Sequence, residues 1–263
     1  MSRPSTDYVT SVTLIRLPKR RRWWALSQMR TAPTTLSRLP GIRFGKVMGS
    51  GSGVGFSAKP NLRVWAVVAV WESPETLLAW HDGDWLAGYR RYAEELITVA
   101  HFPIRARGLW GGEQPFPLEE APPAPSLRAV ITRGTIRPSR LLQFWSTVPS
   151  TSRATEKAEG RLFSIGVGEV PWLEQATWSL WESEDSIRAF AHGSAAHRRA
   201  IQRTHSLDWY SEELFARFVP YASIGSWSTI PDLERHGVRQ FRDAPQPAEL
   251  REARRRQGDG GVP

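Results

Sequence analysis

The chain has 263 residues, 40% of them hydrophobic and 23% charged, the make-up of a globular protein with length for one large or two small domains. It holds no cysteine, which excludes a disulfide framework, thiolate-ligated zinc, iron–sulfur clusters and a cysteine nucleophile, so any metal must be held by nitrogen or oxygen. The net charge of +9 is concentrated at one end: residues 1–63 hold 12 Lys/Arg against Asp7 alone.

In chain order, Ser11 to Leu17 reads as a strand and Trp23 to Thr31 as a helix. The segment before that helix, Lys19-Arg20-Arg21-Arg22-Trp23-Trp24, places cations beside indoles. That composition suits an anionic membrane surface, and nucleic acid is the disfavoured alternative. The plain reading is a solvated helix start with two buried tryptophans. Ile42 to Met48 and Leu62 to Trp71 make the next two strands, joined by a glycine-rich loop. A long helical region, Pro74 to Ile97, leads to a strand near Ile104 to Trp110. Glu113 to Ser126 carries five prolines and no apolar period, a linker of limited flexibility.

The second half repeats the order: Leu127 to Ile136, Arg140 to Trp145, Leu162 to Val167, Gln175 to Trp181, Glu184 to Leu214 and Phe218 to Trp227. The 33 residues from Pro231 onwards read as a flexible extension. Val64 to Trp71, the longest apolar run, is too short to span a bilayer. With no charged-then-apolar leader pattern, a cytoplasmic location is expected, peripheral to the inner face of the membrane if Lys19 to Trp24 docks there.

The two halves are self-similar. Trp71-Glu72-Ser73 returns as Trp181-Glu182-Ser183, and Tyr92-Ala93-Glu94-Glu95-Leu96 as Tyr210-Ser211-Glu212-Glu213-Leu214. Thr13-Leu14-Ile15-Arg16 pairs with Val130-Ile131-Thr132-Arg133, and Trp110 with Trp227. The spacing lengthens by about eight residues between Trp181 and Tyr210, so the second copy has an insertion there. Ser73 and Ser183 are natural helix N-caps with acids in the following turn. The fold expected is α+β: two fused ferredoxin-like (βαββαβ) repeats forming a dimeric α/β-barrel-like core. Their open sheet faces bury each other and enclose room for a large apolar ligand. The domain division is 1–112, a Pro-rich linker 113–126, 127–230, and a tail 231–263. A fused duplicate does within one chain what a dimer does with two, and further association into a homo-oligomer is left open.

Few residues carry a chemical signature. Gly49-Ser50-Gly51-Ser52-Gly53-Val54-Gly55-Phe56 lies between strands and lacks the Gly-Lys-Ser/Thr of a phosphate loop. It is a hairpin connection or a ligand-contacting loop, with Gly166-Val167-Gly168-Glu169 as its shorter counterpart. None of the six histidines forms a zinc-type pair. His197 and Ile201 share a helix face, with Arg198, Arg199 and Arg203 facing outward, and a histidine so placed is ordinarily a core residue. The acid pairs Glu94-Glu95 and Glu212-Glu213 read as helix ends packed at the sheet. The thirteen tryptophans build core first and line a pocket second.

Several strings resemble the spheroidene monooxygenases of carotenoid biosynthesis, from about Val12 to Trp227. They are Met48-Gly49-Ser50-Gly51-Ser52-Gly53-Val54-Gly55-Phe56 with Lys59-Pro60-Asn61, Ile165-Gly166-Val167-Gly168-Glu169-Val170-Pro171, Ser211-Glu212-Glu213-Leu214-Phe215-Ala216-Arg217-Phe218, and Ile224-Gly225-Ser226-Trp227. The resemblance implies a haem b (iron) protein of the dimeric α/β-barrel type that introduces a keto group into an acyclic, apolar carotenoid. It uses O2 and an external electron donor. His197 matches the family pattern best as axial ligand, with His192 the second candidate, and the insertion is then a ligand helix needed by the second copy alone. Ser50, Ser52, Lys59 and Glu169 are the residues expected at the polar edge of the pocket. Two other readings remain: a haem enzyme of the same fold acting on nitrogen, such as an aldoxime dehydratase or an N-oxidising enzyme, and a non-catalytic α/β-barrel ligand-binding module.

Overall fold

A computed structural model describes residues 8–53, 57–118, 127–193, 208–244 and 249. The first half runs β1 (Val9–Arg16), α1 (Arg22–Gln28), α2 (Ala32–Leu36), β2 (Ile42–Gly51), β3 (Pro60–Trp71), α3 (Pro74–Asp82), α4 (Asp84–Arg90) and β4 (Glu95–Gly108). The second runs β5 (Arg128–Ile136), α5 (Leu141–Glu156), β6 (Arg161–Gly168), β7 (Glu174–Trp181), α6 (Glu184–Gly193) and β8 (Tyr210–Ser226), followed by a short β9 (Arg239–Gln240). Strand order is β4-β1-β3-β2-β6-β7-β5-β8, and β4 pairs back to β8, so eight antiparallel strands close into a barrel. Within each half the order is the same: last strand, first, third, second.

The joints between halves are unequal. β4 and β8 pair from Leu96↔Ser226 to Gly108↔Leu214, whereas β2 and β6 meet only at Gly49↔Gly168 and Ser50↔Val167. Side chains alternate across the wall as the pleat requires. Val12, Leu14, Phe44, Met48, Trp178 and Phe218 belong to the inner core, while Ile15, Trp65, Val67 and Trp71 pack outward under the helices of the first half. Buried side chains of both halves meet in the barrel interior.

Both predicted caps form. Ser73 Oγ accepts from the Thr76 N–H (3.3 Å) and Thr76 Oγ1 accepts in return from the Ser73 N–H (3.1 Å), a reciprocal cap of α3. Ser183 Oγ accepts from the Ser186 N–H at 3.1 Å and starts α6.

Three expectations are corrected. The helical region from Pro74 ends at Arg90, and β4 begins at Glu95; likewise α6 is described only to Gly193, and β8 begins at Tyr210. The acid pairs therefore belong to strands or their margins, not to helix ends. Burial alternates with period two from Glu212 to Phe218, a strand signature that the acidic residues disguise. Third, residues 231–244 of the tail are not an extension: Leu233, Val238 and Phe241 are buried, and β9 pairs with β8 beside Ala222 and Ser223. The apolar residues spaced through that segment supply the burial that orders it.

Gly108, the last residue of β4, and Gly225, the last but one of β8, have φ +89° and +83°. A Cβ at either would lie 2.1 or 2.2 Å from a backbone oxygen, of Glu213 or Leu96. Only glycine satisfies both the left-handed turn and the close approach. The turn carries Trp110 and Trp227, two residues on, over the barrel ends. Among the described residues, no helix is long and apolar enough to cross a membrane.

Candidate functional site

The halves differ most on the helix-covered face of the sheet. In the first half the central row across that face is Gly49, Trp65, Ile15 and Leu96, neighbours in register. Ile15 and Trp65 are buried in one continuous cluster beneath the helices. The matching row of the second half is Gly166, Thr177, Thr132 and Phe215. Two threonines stand where the first half has an isoleucine and a tryptophan, and Thr132 is exposed although it lies on a central strand.

The packing above that row is split. Ile136, Phe144, Val148 and Trp209 form one cluster under α5, joined by Tyr210. Val130, Trp181 and Ile187 form another under α6, joined by Phe190 and Phe215. Among the described residues neither cluster covers Thr132, which leaves a cleft floored by small side chains. Tyr210 stands at its α5 side against Gly134, where a Cβ would lie 2.6 Å from the ring. Burial, with Glu213 adding to it, raises the Tyr210 phenol above its ordinary value and keeps it neutral. At the α6 side, Glu184 pairs with Arg217 and, at 3.9 Å, with Arg128.

The sequence-predicted haem ligands border this cleft in the chain. His192 lies in the last turn of α6, with only its backbone described. His197 lies outside the described residues, in 194–207, the stretch that connects α6 to β8. Small floor residues and a sheet face exposed at Thr132 are what a planar cofactor requires of the surface beneath it, so the described residues fit that group. Among the described residues no three His, Asp or Glu side chains group as a metal site.

The four predicted polar residues gather at the short β2–β6 joint but not at the cleft. Ser50 is buried opposite Val167, its Oγ 3.4 Å from the Asn61 carbonyl. Ser52 and Ser57 hydroxyls meet at 3.2 Å, and Lys59 is exposed beside them. Glu169 follows β6 and turns to the barrel interior, accepting from Trp110 Nε1 at 2.5 Å and pairing with Lys46 at 2.9 Å. The sheet therefore separates Glu169 from the cleft.

Sequence reasoning missed the company Glu169 keeps. Arg133 is buried and pairs with Glu212 and, at 3.4 Å, with Glu174. Burial raises the Glu174 carboxyl, and Glu169 and Glu212 add repulsion that Arg133 partly offsets. Burial also works to raise Glu212, but hydrogen bonds from the Gly111 and Gly112 N–H groups (2.8 and 2.7 Å), together with Arg133, outweigh it and lower its pKa. The repeat that pairs Arg16 with Arg133 was the available signal. His101 was missed too. It is buried in the barrel between Trp178 and Phe218 (ring centroids 5.8 and 5.6 Å), with neither ring nitrogen in a well-formed hydrogen bond. Burial depresses its pKa to about 3, against weaker backbone contributions from Thr10 and Val99.

No family model matches the chain. A spheroidene monooxygenase of Rhodobacter capsulatus is 38% identical over 209 residues, spanning 78% of this chain and 86% of that protein. The chain belongs to the spheroidene monooxygenase family. A second relative of that name, from Cereibacter sphaeroides, is 36% identical over 234 residues, 87% of this chain and 71% of that protein. Among solved structures, an aldoxime dehydratase in complex with butyraldoxime has a TM-score of 0.54 at 12% identity, covering 88% of this chain and 86% of that one. Another aldoxime dehydratase structure scores 0.51 at 12% identity, covering 81% of each chain. These two share the fold with this chain.

Proposed function

We propose that the protein is a haem-dependent monooxygenase that oxidises a C–H bond of an apolar, carotenoid-like substrate. It would use O2 and electrons from an external donor. Family membership supports the reaction class, and the observation that carries the cofactor assignment is the replacement of Ile15 and Trp65 by Thr132 and Thr177. The haem supplies O2 activation when bound. His197 would hold it, with His192 the second candidate; Thr132, Thr177 and Gly166 would leave room beneath it. Phe190 and Phe215 would present apolar surface beside it, and the neutral Tyr210 hydroxyl a polar point at the far side. Ser50, Ser52, Lys59 and Glu169 stand apart at the β2–β6 joint, where they would act on the substrate only if it extends past the sheet edge.

The same proposal takes the barrel as two fused ferredoxin-like repeats that replace a dimer. The mirrored strand order and the reciprocal Arg–Glu–Trp contacts at the two ends support it.

The test is an absorption spectrum of the protein expressed with iron and a haem precursor, before and after dithionite and CO, alongside His197→Ala. A Soret band that is lost or shifted in the variant is expected. No band after added haem would overturn the cofactor assignment, and an unchanged band in His197→Ala would pass the ligand to His192. Turnover of an acyclic carotenoid with a reductant system then tests the reaction.

A further inference from the structure

The basic segment at the start of the first half forms a surface with its own design. A short 3-10 turn, Lys19–Arg21, runs directly into α1. Ala25 is buried and Trp24 packs inward on Tyr89 and Tyr92, with ring centroids 5.4 and 5.5 Å apart. The Arg21 guanidinium lies 3.8 Å from the Tyr92 ring centroid, fastening the turn to the body of the protein. With that side held, the opposite side of α1 faces outward. Trp23 is 63% exposed and Leu26, three residues on and so on the same face, is 41% exposed. The two adjacent tryptophans are thus divided, one packed against the core and one left in water.

Charge surrounds that apolar pair. Lys19, Arg20 and Arg22 are exposed, and Arg22 lies 5.3 Å from the Trp23 ring. Arg91, at the end of α4, lies 5.7 Å from the same Tyr92 ring that Arg21 covers, on the side of α1 that faces the body of the protein. None of these five cations is in an ion pair among the described residues, and the nearby acids are engaged elsewhere: Glu94 with Arg63 (2.5 Å) and Glu95 with Arg16 (2.7 Å). After Asp7 the chain has no acid before Glu72.

We propose that this face docks on an anionic lipid bilayer, with Trp23 and Leu26 at headgroup level and Lys19, Arg20 and Arg22 over the lipid charges. Exposed indole and leucine beside cations that are in no ion pair among the described residues is the arrangement that gains from both terms at once. Each cation near an anionic surface contributes about 1 kcal/mol, and an indole prefers the interface. A nucleic-acid surface would gain from the cations but has no use for Leu26. The inference stands apart from the haem assignment, since none of its residues lies at the cleft.

The test is co-sedimentation of the full chain with vesicles of phosphatidylcholine alone and with part of it replaced by phosphatidylglycerol, at low and high salt. Binding is expected to the anionic vesicles, to weaken with salt, and to fall on the order of 100-fold in the Lys19→Ser/Arg20→Ser/Arg22→Ser variant. That variant spares Arg21, whose stacking holds the turn, so unfolding is not expected; an unchanged near-ultraviolet circular dichroism spectrum checks this. Trp23→Ser should weaken binding at both salt concentrations, because its contribution is apolar. Failure to bind, equal binding to neutral vesicles, or an unaffected triple variant would overturn the proposal. Single-stranded RNA that binds more tightly than the vesicles and displaces them would reassign the face to nucleic acid.

Discussion

The guanidinium of Arg16 lies 4.6 Å from the ring centroid of Trp227, joining the first strand of one half to the segment that follows the last strand of the other. Arg16 also pairs with Glu95 at 2.7 Å, and Glu95 accepts from the Ser228 N–H at 3.0 Å, the residue after that tryptophan. At the opposite end of the barrel the arrangement recurs with the halves exchanged. Arg133 of the second half pairs with Glu212 and lies 5.9 Å from Trp110 of the first, and Glu212 accepts from Gly111 N–H. Each half thus closes the barrel end belonging to its counterpart.

The two ends should not be equally sensitive. Arg133 has 3% of its side chain exposed, whereas Arg16 has 28%. Arg133→Met removes a buried cation shared by two partly buried carboxylates, Glu212 and Glu174, and is expected to cost about 3–5 kcal/mol. Arg16→Met removes a more exposed cation and leaves one carboxylate, Glu95, without it, and is expected to cost roughly 1–2 kcal/mol. Urea unfolding of both variants checks the order; a larger loss for Arg16→Met would contradict it.

Gly108→Ala introduces a Cβ against the Glu213 carbonyl at a residue with positive φ. The expected loss is about 2–4 kcal/mol. Gly88 has no atom within 4 Å of such a Cβ, so Gly88→Ala, within α4, should be neutral or slightly stabilising. Comparing the two melting temperatures measures the effect of the crossing and not of alanine itself.

Thr177→Trp restores to the second half the residue that fills the first. Because it enters an open cleft, it is expected to leave folding stability within about 1–2 kcal/mol of the parent while abolishing haem uptake in a spectrophotometric titration. The converse change, Trp65→Thr, opens a cavity in a closed core and should cost about 3–5 kcal/mol. Full haem uptake by Thr177→Trp would show that the cleft is not where the cofactor sits.

His101 gives stability a defined pH dependence. Its folded pKa, about 3, lies below the ordinary value of 6.5. The neutral form is therefore favoured by folding, and its contribution is present above about pH 6.5 and lost as pH falls towards 3. The slope approaches about 1.4 kcal/mol per pH unit within that window. Replacing it with leucine removes the dependence, so wild type minus His101→Leu, followed by urea unfolding at pH 7, 6 and 5 (about one pH unit apart), should shift against the wild type as pH falls. A difference that does not move with pH would show that His101 titrates normally.

The sequence by itself determined the duplicated order of elements and the N-caps at Ser73 and Ser183. These rest on local chemistry: side-chain period, capping hydroxyls and recurring strings. It also pointed to the family through long, unusual motifs. It did not reveal that Glu94-Glu95 and Glu212-Glu213 belong to strand ends, because a carboxylate lowers the apparent strand propensity until its arginine partner across the sheet is known. Tertiary structure alone decided which residues share a place. Thr132 and Thr177 are unremarkable in the chain, and they become the floor of a cleft only because strand register sets them beside each other, under a helix layer divided in two. Likewise Trp23 and Trp24 are the same residue type side by side, and a helix turn of about 100° per residue sends one into Tyr89 and Tyr92 and the other into solvent. Register and helix phase are long-range consequences of closing the barrel, and no single segment carries them.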